Sequence, residues 1–210
     1  MTCVHIIDDD DVLRDALYQM ITGLTDWRVM QWRSGGEFLA QRGFLGSGVL
    51  LLDQDMPGTS GIEVLAAVRG DPRFAAVMMT GAADIRLAVD AFRHGAINMV
   101  EKPCDHDVLI EALAGAAAVV DAAQSMTAAR TLIARLTPRE RDVLDGLILG
   151  QPNKIIAHLC GISPRTVEIY RANLMEKLNA QSLSAVLRIA FNAGRTPGHG
   201  DANAPRALAA

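Results

Sequence analysis

The sequence predicts an α/β domain on a five-stranded, doubly wound parallel sheet, followed by an all-α domain of four helices. Three observations carry that expectation. The first 120 residues alternate short apolar runs of strand length with segments of helical spacing, five times over. The apolar runs are nearly continuous, the pattern of strands buried on both faces by covering helices. Beyond residue 135 the strand-like runs cease and capped helical segments follow one another.

Strands are expected at Val4 to Ile7, Trp27 to Gln31, Val49 to Leu52, Ala75 to Met79 and Ile97 to Val100. The helices between and after them fall at Val12 to Ile21, Gly36 to Gln41, Gly61 to Arg69, Ile85 to His94 and Val108 to Val120. These fill a first domain of residues 1–120. Residues 121–135 are alanine-rich and free of Pro and Gly, so they either prolong the preceding helix or form a flexible linker. A second domain spans 136–192. Its first helix opens on Thr137-Pro138-Arg139-Glu140, with a capping residue, proline at the first helical position and glutamate at the third, and stops at Gly150. Ile155, Ile156 and Leu159 mark the next helix, ended by Gly161. Ser163-Pro164 opens a third that runs to about Leu178, and Leu183 to Ala190 makes the fourth. The tight turn from Cys160 to Ser163 makes the middle pair a helix-turn-helix. Residues 193–210 lack periodicity and are expected to be a disordered tail.

Composition removes several classes. With 50% hydrophobic and 21% charged residues in 210, the chain is neither mainly disordered nor collagen-like nor a coiled coil. The longest nearly apolar stretch, Ala112 to Val120, is far short of the roughly 20 residues of a spanning helix. The N-terminus leads straight into Asp8 to Asp11 with no basic region, so a cytoplasmic location is expected. Cys3, Cys104 and Cys160 are odd in number and far apart, unlike a disulfide framework or a zinc site. Residues 1–120 hold 17 acidic against 9 basic residues, a net −8, whereas 121–210 hold 7 against 11, a net +4. An acidic domain is therefore joined to one suited to an anionic partner.

In a doubly wound sheet the site lies at the carboxyl ends of the strands. Asp8 and Asp9 follow the first strand, Asp53 the third, Thr80 the fourth and Lys102 the fifth, so all fall at one edge. Three gathered carboxylates repel one another unless they share a hard divalent cation, and oxygen ligands suit Mg²⁺. The lysine adds positive charge and the threonine hydroxyl can bond a phosphoryl oxygen. An aspartate nucleophile so equipped can form and hydrolyse an aspartyl phosphate. Asp10 and Asp11 fit the plainer role of capping the first helix.

Asp8-Asp9, the run from Asp53 to Gly58, Thr80-Gly81 and Lys102-Pro103 together resemble the receiver domain of bacterial response regulators, a flavodoxin-like fold. The resemblance covers residues 3 to about 120. It implies Asp53 as acceptor of a phosphoryl group from a sensor histidine kinase, Mg²⁺ held by Asp8, Asp9, Asp53 and the backbone carbonyl of Asp55, Lys102 as partner of the acceptor, and Thr80 as a switch hydroxyl. Met99 stands where this family usually carries a rotating Phe or Tyr, which predicts weaker coupling between phosphorylation and dimerisation. Cys104 likewise replaces a frequent Phe. Asp55 and Ala82 occupy the places where the family tunes water access to the phosphoryl group.

Projected on a helical wheel, the third helix of the second domain turns Val167, Tyr170, Leu174 and Leu178 inward and Arg165, Glu168, Ile169, Ala172, Asn173 and Glu176 outward. Leu136 to Glu140, Val143-Leu144, Gly150, Asn153 to Ile155, Ala157, Ile162-Ser163, Thr166 to Glu168 and Lys177-Leu178 resemble the LuxR-type DNA-binding domain. By that resemblance Glu168, Ile169 and Ala172 face the bases, and Lys154, Arg165, Thr166 and Arg171 join the contact set, the cations toward phosphates. The projection puts Arg171 near the inner edge, and Tyr170 replaces the usual histidine. Residues 3 to about 192 thus resemble the NarL/FixJ class of response regulators, FixJ above all.

The resemblance implies a transcription regulator, not a dedicated enzyme, that dimerises on phosphorylation, binds double-stranded operator DNA and meets RNA polymerase. Two other readings compete. Asp53-Gln54-Asp55 also resembles the nucleophile motif of haloacid-dehalogenase-type phosphatases, though Pro57 departs from it. An interaction module controlled by a partner, with Asp53 never phosphorylated, is the other.

Overall fold

Five parallel strands, β1 (Cys3–Ile7), β2 (Arg28–Trp32), β3 (Gly48–Asp53), β4 (Phe74–Thr80) and β5 (Ala96–Glu101), pair in the order β2-β1-β3-β4-β5 in the computed structural model, which describes residues 2–81 and 84–196. The chain divides into two compact units, residues 1–124 and 125–210. In the first, the winding reverses after β1, so β2 lies to one side of it and β3 to the other. That reversal opens a crevice at the carboxyl ends of β1 and β3.

Strand alternation divides the core into two layers. Val49 and Leu51 of β3 join Leu17 and Ile21 of α1 (Asp11–Leu24) and Leu109, Leu113 and Val120 of α5 (His106–Ala134). Leu50 and Leu52 face the other way, onto Phe38 of α2 (Gly35–Gln41), Val64 and Leu65 of α3 (Gly61–Val68) and Ala91 of α4 (Ile85–His94). Every residue of β3 is buried, as a strand covered on both faces requires. A short 3₁₀ turn, Arg42–Phe44, precedes it. Asp10 caps α1 by accepting from the backbone N–H groups of Val12 and Leu13.

The fifth helix takes the first of the two courses open to residues 121–135. It does not stop near Val120 but runs on to Ala134, so the alanine-rich stretch is helical. α5 is long and apolar enough to cross a membrane, which the shorter apolar run in the sequence did not suggest. Its apolar residues Leu109, Ala112, Leu113, Ala116, Ala117 and Val120 are buried in the core of the first unit.

The second unit packs α6 (Pro138–Ile148), α7 (Asn153–Cys160), α8 (Pro164–Lys177) and α9 (Leu183–Asn192) around Val143, Leu144, Ile156, Val167, Leu174, Leu178 and Val186, with Ile133 and Leu136 closing one end. Thr137 and Glu140 form a reciprocal capping box on α6. Glu140 is almost fully buried, and the Lys177 ammonium of α8 donates to its carboxylate at 2.7 Å. Burial alone would push the Glu140 carboxyl up, but the bonds from Lys177 and Thr137 hold it below the usual range. Gly146 lets α6 and α7 close, since a Cβ there would stand 2.6 Å from Ile156 Cγ1. Residues 193–195 do not begin the tail. Ala193 and Gly194 close α9 with backbone bonds, and the Arg195 guanidinium pairs with Asp145. Residues 197–210 of the expected tail lie outside the described residues.

His5 in β1 is buried among the rings of Trp32, Phe38 and Phe74, and the Trp32 indole N–H donates to its Nδ1 at 3.2 Å. Burial lowers its pKa to about 4. A histidine depressed in the folded state takes up a proton on unfolding. Its neutral form therefore contributes stability above the unfolded value of about 6.5, and that contribution is lost as pH falls toward about 4. We expect His5→Leu to flatten the pH dependence of unfolding in that window by about 3 kcal/mol, read from urea titrations at successive pH; an unchanged slope contradicts it. In the second unit, Glu140→Gln should lower the unfolding free energy at pH 7 by about 2 kcal/mol. That difference shrinks as pH falls below the ordinary glutamate range and the wild-type carboxylate is protonated, a trend the same titrations measure.

Candidate functional site

β1, β3, β4 and β5 deliver the expected residues to one edge of the sheet. Asp8 directly follows β1, Asp53 is the last residue of β3, Thr80 the last of β4, and Lys102 follows β5. Asp53 and Thr80 thus end their strands rather than lying one residue beyond. Parallel register keeps these ends level, with Ile7 opposite Leu52, Asp53 opposite Met79 and Thr80 opposite Glu101.

The Lys102 ammonium lies 2.8 Å from Asp8 Oδ2 and 2.8 Å from Asp53 Oδ1, bridging two buried carboxylates. Asp9 is exposed, and one carboxylate oxygen from each of Asp8, Asp9 and Asp53 lies within 4.8 Å of the others. Burial pushes the Asp53 carboxyl up, against the lowering by Lys102, while the charges of Asp8 and Asp55 push it up further. Burial pulls the Lys102 ammonium down, but its bonds to Asp53 and Asp8 outweigh this and raise it. The result is a carboxylate held above the ordinary aspartate range with a cation at its side. An all-oxygen, triply acidic donor set fits a hard divalent cation such as Mg²⁺.

The surrounding chain fixes this geometry. Asp8 Oδ1 accepts from the Asp10 N–H at 2.9 Å. Gly61 lies against the end of β3: a Cβ would stand 2.6 Å from the Asp53 carbonyl oxygen, so only glycine fits at the start of α3. Gly58 takes a φ of 82° in the turn after Asp53. Thr80 is buried, and its carbonyl accepts from the Lys102 N–H at 2.8 Å. Asp55, two residues after Asp53, is exposed. Met99 is half-buried against the second core layer, and Cys104 against the first. Ala82 lies outside the described residues.

One residue escaped the sequence reading. Arg14 is buried on α1, and its guanidinium donates to the Asp8 carbonyl, to Gln31 Oε1 and to the Asp11 carboxylate. The signal was present, because Arg14, Leu17 and Ile21 share one inward helical face.

In the second unit, Lys154 of α7 and Arg165, Glu168, Ile169 and Ala172 of α8 are exposed, while Val167 and Leu174 are buried. The outward face of α8 is therefore the projected one, with Ile169 54% exposed on it. Thr166 is half-buried at the helix start, its hydroxyl 2.8 Å from that of Ser163. Arg171 is half-buried and donates to Asn153 Oδ1 at 2.6 Å, at the inner edge. Tyr170 is half-buried too.

Residues 4–114 match the response regulator receiver domain, and residues 134–190 the bacterial regulatory proteins of the luxR family. The chain is 39% identical to the transcriptional regulatory protein FixJ of Bradyrhizobium diazoefficiens, over 91% of this chain and 95% of the relative. This chain belongs to the NarL/FixJ class of two-component response regulators. It is also 35% identical to the tetrathionate response regulatory protein TtrR of Salmonella typhimurium, over 90% of this chain and 91% of that one. Among solved structures, full-length FixJ from B. japonicum matches with a TM-score of 0.56 at 39% identity, covering 92% of this chain and 97% of its own. The response regulator StyR matches with a TM-score of 0.65 at 31% identity, covering 90% and 98%. The family is that of a transcription regulator with a receiver and a LuxR-type DNA-binding domain, not of a dedicated enzyme, and the haloacid-dehalogenase reading of Asp53-Gln54-Asp55 falls away.

Replacing Lys102 with Met removes the cation that offsets the burial of Asp53. The Asp53 carboxyl should then titrate higher than in the wild type, followed by ¹³C NMR of labelled aspartates; an unmoved titration contradicts the bridging role.

Proposed function

We propose that Asp53 accepts a phosphoryl group from the phosphohistidine of a sensor histidine kinase, and that the phosphorylated chain dimerises and binds operator DNA in the cytoplasm. The observation that carries this reading is the Lys102 ammonium, 2.8 Å from both Asp8 and Asp53 above an acidic trio at the sheet edge. In the transfer, an Asp53 carboxylate oxygen forms the new P–O bond as the P–N bond to the kinase imidazole breaks and the imidazole leaves. Asp8, Asp9, Asp53 and the backbone carbonyl of Asp55 would hold Mg²⁺, which when bound offsets the charge of the phosphoryl oxygens. Lys102 stabilises the same charge from the β5 side. The Thr80 hydroxyl turns to a phosphoryl oxygen, and Met99 repacks behind it. Asp55, exposed beside the acceptor, bears on the path of the hydrolytic water.

Dimerisation is assigned to the face of α4, β5 and α5. Ile85, Val89 and Phe92 of α4, Ile97 of β5 and Val108 of α5 are large apolar side chains left exposed there. In the second unit, Glu168, Ile169 and Ala172 would read base edges in the major groove of double-stranded DNA. Lys154, Arg165, Thr166 and Arg171 would contact the phosphate backbone, Arg171 after releasing Asn153. RNA polymerase is the expected partner of the DNA-bound dimer.

Sedimentation velocity with Mg²⁺ and beryllofluoride tests the receiver half. The wild type is expected to shift from monomer to dimer and Asp53→Asn to stay monomeric. No binding of the mimic would instead favour a partner-controlled module, the reading that Met99 in place of an aromatic supports. For the DNA half, Lys154→Ala should weaken binding about equally on all sequences and reduce the salt dependence by about one phosphate. Ile169→Ala should relax preference at one base pair while leaving the salt slope unchanged, both read by fluorescence anisotropy at several salt concentrations.

A further inference from the structure

We propose that Arg14 is a positioning residue of the acidic pocket: by holding the Asp8 carbonyl it fixes the corner that carries Asp8 and Asp9, and so sets the pocket's affinity for a divalent cation. This rests on the proposed cation-dependent phosphorylation of Asp53.

A guanidinium on the apolar face of α1 is costly unless its donors are satisfied. Arg14 is 4% exposed and lies on the face of Leu17 and Ile21, where a leucine would bury more apolar surface at lower cost. Its bonds show what it does there. Nη1 donates to the Asp8 carbonyl at 2.8 Å, Nε donates to Gln31 Oε1 on β2 at 3.2 Å, and Nη2 donates to the Asp11 carboxylate. The planar fork sets these directions at once, which an ammonium on a flexible stem cannot do.

The bonded carbonyl belongs to the peptide that joins Asp8 to Asp9, and a peptide is a rigid plane. Arg14 therefore orients the backbone of both acidic residues from behind the pocket. Asp8 is held at every polar atom: its N–H donates to the Trp32 carbonyl at 3.2 Å, Oδ1 accepts from Asp10, Oδ2 from Lys102, and the carbonyl from Arg14. Asp9 is exposed, and the shared peptide is how the buried scaffold reaches it. Carboxylates that repel one another would spread apart without such an anchor, and a cation would then have to draw them together at the expense of affinity.

Binding of Mn²⁺ to the full chain, followed by loss of the free-ion EPR signal, tests this. Arg14→Met is expected to weaken binding about tenfold or more, as loss of groups that orient metal ligands typically does. Arg14→Lys, which keeps the charge without the fork, should recover only part. Gln31→Leu, which removes the support of the fork without touching Asp8, should weaken binding by a smaller factor, and the Arg14→Met, Gln31→Leu pair should be less than additive. Phosphorylation by acetyl phosphate in Arg14→Met should need more metal yet reach the wild-type rate at saturation. If Arg14→Met lowers the melting temperature while Mn²⁺ affinity stays within about twofold of wild type, the residue only packs the helix and the proposal fails. Should Arg14→Met not fold, unchanged binding in both Arg14→Lys and Gln31→Leu has the same meaning. If the wild type takes up no Mn²⁺, or Asp9→Asn binds it equally well, the cation reading of the pocket fails first and the proposal with it.

Discussion

Crowding of negative charge at the carboxyl edge of the sheet is the constraint on which the rest of the first unit depends. Asp8 and Asp53 are both buried and Asp9 stands beside them, so without compensation the edge would push itself apart. The Lys102 ammonium answers that repulsion from β5, with equal distances to the two buried carboxylates. Because it comes from the far side of β4, the pairing of β3 with β4 and of β4 with β5 sets where the ammonium stands. Burial, with the charges of Asp8 and Asp55, pushes the Asp53 carboxyl above the ordinary aspartate range.

The second unit solves a related problem differently. Glu140 is buried at the start of α6, where it satisfies a backbone N–H of the helix end and accepts from Lys177 near the end of α8. One carboxylate therefore closes a cap and ties the first helix of the unit to α8. With Val167, Leu174 and Leu178 committed to the core, α8 is left with a single outward face of Arg165, Glu168, Ile169 and Ala172. That face presents a cation, a carboxylate, an apolar side chain and a small residue side by side.

Most elements were legible because each had a local cause. Strand runs were apolar and bounded, and helix starts carried their own caps: Asp10 before α1, Thr137 before α6 and Ser163 before α8. The end of α5 was not legible, since residues 121–134 contain neither a stop signal nor a periodic apolar stripe that would favour helix over linker. The reach of the second unit past residue 192 was missed because it rests on Arg195 meeting Asp145, a contact between residues fifty apart. Arg171 shows the same limit. Its place on the wheel pointed to the inner edge, but only the fold supplied Asn153 as its partner.

The sequence by itself determined the alternation of strands and helices, the placement of Asp8, Asp9, Asp53, Thr80 and Lys102 at strand ends, and the face that α8 turns outward. These follow from periodicity, capping and parallel winding, which act over a few residues or along one element. Only the tertiary structure decided that Lys102 bridges Asp8 and Asp53, that Arg14 grips the Asp8 carbonyl from behind, and that Glu140 pairs with Lys177. Those partners lie between 6 and 94 residues apart in the chain. No local pattern encodes such distances, because a hydrogen bond or ion pair of this kind is set by where packed elements bring two atoms, and that position is a property of the whole domain.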